Sequence, residues 1–137
     1  MQLSFSAQAR NVIPFFAGTW PGQWPELVSR RQVSGSIYKT VRVWHATTAS
    51  PVLTYTGHDN HQNLSSTVLS VTWSPDSKHI ASAGQDVTVQ IWEALSGKRI
   101  STYRGYNANV YAALWSLNSQ YIASGGDDGT VQVWQAV

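Results

Sequence analysis

Three groups of residues in this 137-residue chain carry side chains that could do chemistry. His58, Ser82 and Asp86 are the residue types of a nucleophilic hydrolase, in which a histidine takes the serine proton and a carboxylate orients the histidine. His58-Asp59-Asn60-His61 brings two imidazoles close together in sequence, as a metal site would require. Seven tryptophans could stack on sugars or bases. Each group has a plainer competitor. Ser82 stands in an alternating, strand-like run, not in the strained turn that exposes a catalytic serine. No further clear ligand accompanies the two histidines, so the polar run reads as solvated loop. Trp44, Trp73, Trp92, Trp115 and Trp134 recur at matching positions of a repeat, which structure explains better than ligand stacking. The expectation is therefore no catalytic residue, no bound metal and no cofactor.

The repeat is the dominant feature. TVRVW, TVQIW and TVQVW end at Trp44, Trp92 and Trp134, which stand 48 and 42 residues apart. That is at or just above the ~40–45 residues of a four-stranded propeller blade. Ser34, Ser82 and Ser124 each lie ten residues before those tryptophans, and Trp73 and Trp115 lie nine before the last two serines. Gly57 and Gly105 follow the aromatic residues Tyr55 and Tyr103. Alternation makes the pieces strands: Val89 and Ile91 face one way, and Thr88, Gln90 and Trp92 the other. Val110–Trp115 is apolar or small almost throughout, the pattern of a strand buried on both faces. Ser74-Pro75-Asp76-Ser77 and Asp127-Asp128-Gly129 supply tight turns. No stretch shows a 3.6-residue period, so the chain is all-β.

Val71–Trp92, VTWSPDSKHIASAGQDVTVQIW, resembles the WD-repeat (WD40) family, with Gly57-His58 similar to the pair that opens such a repeat. The resemblance covers roughly residues 33–137. It implies β-propeller blades of four-stranded antiparallel sheets, about three of them, making a partial propeller. It also implies a buried His–Ser–Asp–Trp hydrogen-bonded set in each blade: His58, Ser82, Asp86 and Trp92 in the middle repeat. The last repeat keeps Ser124, Asp128 and Trp134 but has Tyr106 in the histidine position. The first keeps Ser34 and Trp44, with Tyr38 in the aspartate position. In the family such sets brace the blade, which favours a structural reading of the Ser–His–Asp trio.

Family phasing sets outer strands at Val52–Thr56 and Arg99–Arg104, inner strands at Val68–Ser74 and Val110–Ser116, and second strands near Ile80–Ala83 and Tyr121–Ser124. Residues 1–32 form a degenerate segment. Within it Asn11–Gly18 aligns with an outer strand, and Trp20–Pro25 stands where an inner strand is due. Three blades are fewer than the four to eight of closed propellers, so self-association or completion by a partner is expected.

Composition narrows the function. Charged residues are 12% of the chain and net charge is +2, so no nucleic-acid partner is indicated; Arg30-Arg31 is too small a patch. No apolar run suggests a membrane span, and the N-terminus lacks the charge order of a signal peptide. Without cysteine the chain suits a reducing, cytoplasmic setting. The expected role is a non-enzymatic scaffold that binds a protein or peptide and forms a homo-oligomer or part of a larger assembly. The segment between Gly57 and Trp73 is six residues longer than its Gly105–Trp115 counterpart. Its tip, Asp59, Asn60, His61, Gln62 and Asn63, is the candidate partner-binding loop. The alternatives are a regulatory or sensory C-terminal piece of a bacterial signalling kinase or ATPase, or a truncated relic.

Overall fold

The computed structural model describes residues 4–5, 31–36, 40–45, 48, 50–58 and 67–137. The described residues form three antiparallel sheets and no helix. The first sheet runs β1 (Ser4–Phe5), β2 (Arg31–Ser36), β3 (Val41–His45) and β4 (Pro51–Tyr55). The second runs β5 (Val68–Trp73), β6 (His79–Gly84), β7 (Val89–Glu93) and β8 (Arg99–Tyr103). The third holds β9 (Val110–Trp115), β10 (Tyr121–Gly126) and β11 (Val131–Gln135). Each expected strand of the repeat lies within about two residues of an observed one. The strand beside β2 is Ser4–Phe5, which the alternation does not mark; residues 11–18 and 20–25 lie outside the described residues.

One register recurs in all three sheets. Ser34 pairs with Arg42, Ser82 with Gln90 and Ser124 with Gln132. The repeated serine therefore sits two rungs from the repeated tryptophan's partner, on the same face of the sheet. The turns repeat as well. Ser74 Oγ bonds Asp76 at 2.5 Å and receives His79 N at 2.9 Å. Ser116 Oγ bonds Asn118 at 2.6 Å and receives Tyr121 N at 3.0 Å. Ser77 and Ser119 both turn through the left-handed region, at φ 64° and 60°.

The core lies between sheets. Val41, Val43 and Tyr55 of the first pack on Val68, Val71, Trp73, Ile80 and Trp92 of the second. Ala81, Ala83, Val89 and Ile91, on the opposite face of the second sheet, pack on Val110, Ala113 and Ile122 of the third. Cross-sheet hydrogen bonds brace that junction, among them Asp76 N to Ser119 Oγ at 3.0 Å and Ala113 N to Ser70 Oγ at 3.2 Å. The middle sheet is thus sandwiched, which explains why β7 is apolar beyond simple alternation.

The third sheet corrects one expectation. Its strand β9 is buried on one face only: Val110 is fully buried, whereas Leu114 is 61% exposed. Cross-strand pairing puts Leu114, Ala123 and Val133 in one row and Ala112, Gly125 and Val131 in the next. Together they make an apolar face that no described sheet covers. The sequence of β9 has the composition of a strand with two neighbours, but the described chain provides one. Replacing Val110 by alanine should cost about 2 kcal/mol, and replacing Leu114 by alanine within about 0.5 kcal/mol. Urea denaturation of both variants checks this, and equal losses would mean that β9 is covered on both sides.

Candidate functional site

Among the described residues, the densest cluster of titratable and hydroxyl side chains is the set in the second sheet. His58 follows β4 across Gly57, Ser82 is central in β6, Asp86 lies in the β6–β7 turn and Trp92 is on β7. His58, Ser82 and Trp92 are fully buried and Asp86 nearly so. Trp92 Nε1 donates to Ser82 Oγ at 3.2 Å, Ser82 Oγ lies 2.6 Å from His58 Nε2, and His58 Nδ1 lies 2.9 Å from Asp86 Oδ2. An indole can only donate and a carboxylate can only accept. Ser82 Oγ therefore accepts from Trp92, and His58 Nδ1–H donates to Asp86 Oδ2, while Ser82 and His58 Nε2 share the hydrogen between them.

The contacts have the connectivity of a hydrolytic triad, yet the surroundings give a substrate no approach. Ser82 Oγ is buried mid-strand, with the indole of Trp92 bonded to it and the imidazole on its other side. The chemistry of this set is mutual satisfaction. Each buried group left without a partner would cost roughly 1–3 kcal/mol.

A second network joins the first, and sequence reasoning did not identify it. Tyr55 stacks on Trp92 with centroids 4.5 Å apart, and its hydroxyl donates to Gln90 Oε1 at 2.7 Å. Gln90 Nε2 donates to the Gly57 carbonyl at 3.1 Å and to Asp86 Oδ2 at 3.2 Å. Thr88 gives Asp86 Oδ1 its hydroxyl at 2.9 Å and its amide at 3.2 Å. A side chain on Gly57 would put its Cβ 2.1 Å from the Tyr55 hydroxyl. The repeated Tyr-x-Gly and Thr-x-Gln columns were the visible signal: the tyrosine crosses the glycine to reach the glutamine.

The third sheet repeats this second network and rewires the first. Tyr103 stacks on Trp134 at 4.5 Å and hydrogen-bonds Gln132, whose Nε2 donates to the Gly105 carbonyl at 3.0 Å. Trp134 Nε1 donates to Ser124 Oγ at 3.1 Å, as in the second sheet. Tyr106 then takes the place of histidine. Its hydroxyl lies 2.8 Å from Ser124 Oγ and donates to the Ser124 carbonyl at 2.5 Å. The relay ends on backbone, and Asp128 is released to the surface, where it accepts from Thr130 Oγ1 at 2.6 Å. In the first sheet, Ser34 holds the equivalent backbone register and Trp44 is half-buried on β3. Tyr38 lies outside the described residues.

The remaining candidates separate clearly. Asp59, Asn60, His61, Gln62 and Asn63 lie outside the described residues. Among the described residues no cluster of three histidine, aspartate or glutamate side chains could hold a metal. Trp73 and Trp115 keep their indole N–H groups without a hydrogen-bond partner. They act by packing: Trp73 in the core between the first two sheets, and Trp115 beside the second core, stacked on His79.

Burial works against ionisation of Asp86. Hydrogen bonding and electrostatic attraction from His58, with two hydrogen bonds from Thr88, outweigh it and hold the carboxyl below its ordinary value. A depressed carboxyl stabilises the fold while it is ionised and stops doing so when it is protonated. The contribution of Asp86 is therefore complete above the ordinary carboxylate range and lost as pH falls through it and below. Melting temperature should drop on acidification more steeply in the parent chain than in Asp86→Asn, and parallel curves would contradict this assignment. Tyr106→Phe should cost about 1–3 kcal/mol, because it leaves the Ser124 hydroxyl without its acceptor. Chemical denaturation measures that loss.

Comparison with known proteins identifies the same repeats. The family model described as WD domain, G-beta repeat matches residues 49–93 and 97–135. Each match begins near the outer strand of one sheet and ends at the repeated tryptophan strand of the next. The chain is similar to WD repeat-containing protein 82 of Drosophila melanogaster, 33% identical over 72 residues that make up 53% of this chain and 21% of that protein. It is also similar to Notchless protein homolog of Arabidopsis thaliana, 35% identical over 77 residues, 56% of this chain and 15% of that protein. The aligned stretch is thus a minor part of either relative's length. With two repeats matched and their buried networks in place, the chain belongs to the WD domain, G-beta repeat family.

Proposed function

We propose that this chain is a non-catalytic interaction scaffold, completed by association with a second copy and offering its loops to a protein or peptide partner. The observation that carries the reading is the apolar face of the third sheet that no described sheet covers. Ala81, Ala83, Val89 and Ile91 of the second sheet are fully buried beneath a neighbour. The corresponding positions of the third sheet include Val131 and Val133, 77% and 70% exposed. Contiguous apolar surface of this kind marks an interaction site. The buried polar sets support the same reading, since the side chains that could do chemistry are spent inside the blades.

The partner-contacting loop is Asp59–Asn63, supported by its extra length over the matching segment of the next repeat. The small net charge speaks for a protein partner over nucleic acid, no described helix is long and apolar enough to cross a membrane, and the cysteine-free composition suits the cytoplasm. A second reading, a regulatory module of a longer protein, draws on the minor share of both relatives that the chain spans.

Light scattering on a sizing column tests completion by association. A discrete dimer is the expected outcome, and a folded, monodisperse monomer across the micromolar range would rule it out.

A further inference from the structure

Asp86 performs two tasks that the third sheet keeps apart, and the residue beside it bears the consequence. We propose that the Asp86–Val87 turn between β6 and β7 is a conformational link between the two cores. When Asp86 releases His58, the turn relaxes and Val87 withdraws from the packing between the second and third sheets.

Among the described residues, Val87 is the one β-branched residue in the left-handed region, at φ 67°. A branched Cβ is crowded there by the backbone carbonyl oxygen. The same place in the third sheet is taken by Gly129, at φ 77°, with open space where a Cβ would stand. Both turns are closed alike. Val87 N donates to Gly84 O and Gly84 N to Thr88 O, as Gly129 N does to Gly126 O and Gly126 N to Thr130 O. A carboxylate then spans each middle residue. Asp86 Oδ1 accepts from Thr88 N at 3.2 Å and Thr88 Oγ1 at 2.9 Å. Asp128 Oδ1 accepts from Thr130 N at 2.9 Å and Thr130 Oγ1 at 2.6 Å. The shared frame imposes a left-handed backbone that suits glycine and strains valine.

The second carboxylate oxygen makes the difference. Asp86 Oδ2 accepts from His58 Nδ1 at 2.9 Å and from Gln90 Nε2 at 3.2 Å. The relay of the third sheet ends with Tyr106 on the Ser124 carbonyl and does without Asp128. Asp86 alone therefore ties its turn to the residue that follows β4, the last strand of the first sheet. The side chain of Val87 packs on the core shared by the second and third sheets. Two residues adjacent in sequence thus reach both junctions. A strained conformation persists only while its surroundings over-determine it, and here those surroundings include a bond from the direction of another sheet. Loss of that bond loosens the carboxylate, lets Val87 return to negative φ and takes its side chain off the core. A single element with two arrangements, biased from both sides, is what coupling between two junctions requires.

Val87→Gly cuts the link by copying the third sheet. Asp86→Asn weakens the hold on His58 while keeping an acceptor oxygen in the turn, and His58→Gln removes the same bond from its other end. Retained near-ultraviolet circular dichroism establishes that a variant is folded. Amide hydrogen exchange over residues 106–113, followed by mass spectrometry, should be about tenfold faster in Asp86→Asn than in the parent. In the Val87→Gly background the same substitution should change it by about twofold or less. His58→Gln should behave in the same way. Val87→Gly should also shift the urea-folding equilibrium at least about fivefold more favourably in the parent than in Asp86→Asn, because only the intact carboxylate frame sustains the strain it relieves. General destabilisation would accelerate exchange equally in both backgrounds. Equal acceleration, or additive effects on the folding equilibrium, overturns the link.

Discussion

A buried indole has one hydrogen to give and no means of accepting one in return, and the second and third sheets are arranged around where the hydrogens of Trp92 and Trp134 go. Trp92 lies fully buried beneath Tyr55, so its N–H needs an acceptor inside the blade. Ser82 accepts and shares a second hydrogen bond with His58, whose other nitrogen donates to Asp86. Meeting that one demand requires a residue from the strand next door, one from the loop after the preceding sheet and one from the turn ahead. Register, loop path and turn geometry are all conditions on the same relay.

The third sheet shows how far the relay can be altered before it fails. Tyr106 is longer than histidine and ends in a hydroxyl, so it reaches the Ser124 backbone carbonyl without help from an aspartate. Asp128 stays in its turn, bonded to Thr130 at the surface. A carboxylate that is buried and essential to the relay in one blade is an ordinary turn residue in the next. The sequence difference is one aromatic ring.

Much of this was legible in the residues. Strand positions and the serine–tryptophan register follow from a period of two and from columns that recur in phase, and the structure keeps them. What escaped notice depended on space, not on order. The Tyr-x-Gly column is plain in the sequence, but nothing in a string of letters says that a tyrosine hydroxyl passes over the glycine to a glutamine 35 residues on. The strand β1 is two residues long, too short for any period to appear. The composition of β9 misled for another reason: apolarity records the neighbours a strand is suited to, and Leu114 has the character of a covered residue where no described sheet covers it. The candidate binding loop at Asp59–Asn63 lies outside the described residues, and only its length speaks for it.

The outer strand that finishes one sheet leads directly into the residues that lock the next. Tyr55 belongs to the first sheet by its backbone and to the second by its stacking and its hydrogen bond, and Tyr103 stands in the same relation to the second and third. The unit of sequence and the unit of packing are therefore offset by one strand. When such a unit is duplicated in a gene, the new copy carries both the edge that seals its predecessor and the tyrosine that fastens its own three strands to it. An array built this way can lengthen or shorten by whole units without ever having to invent a junction.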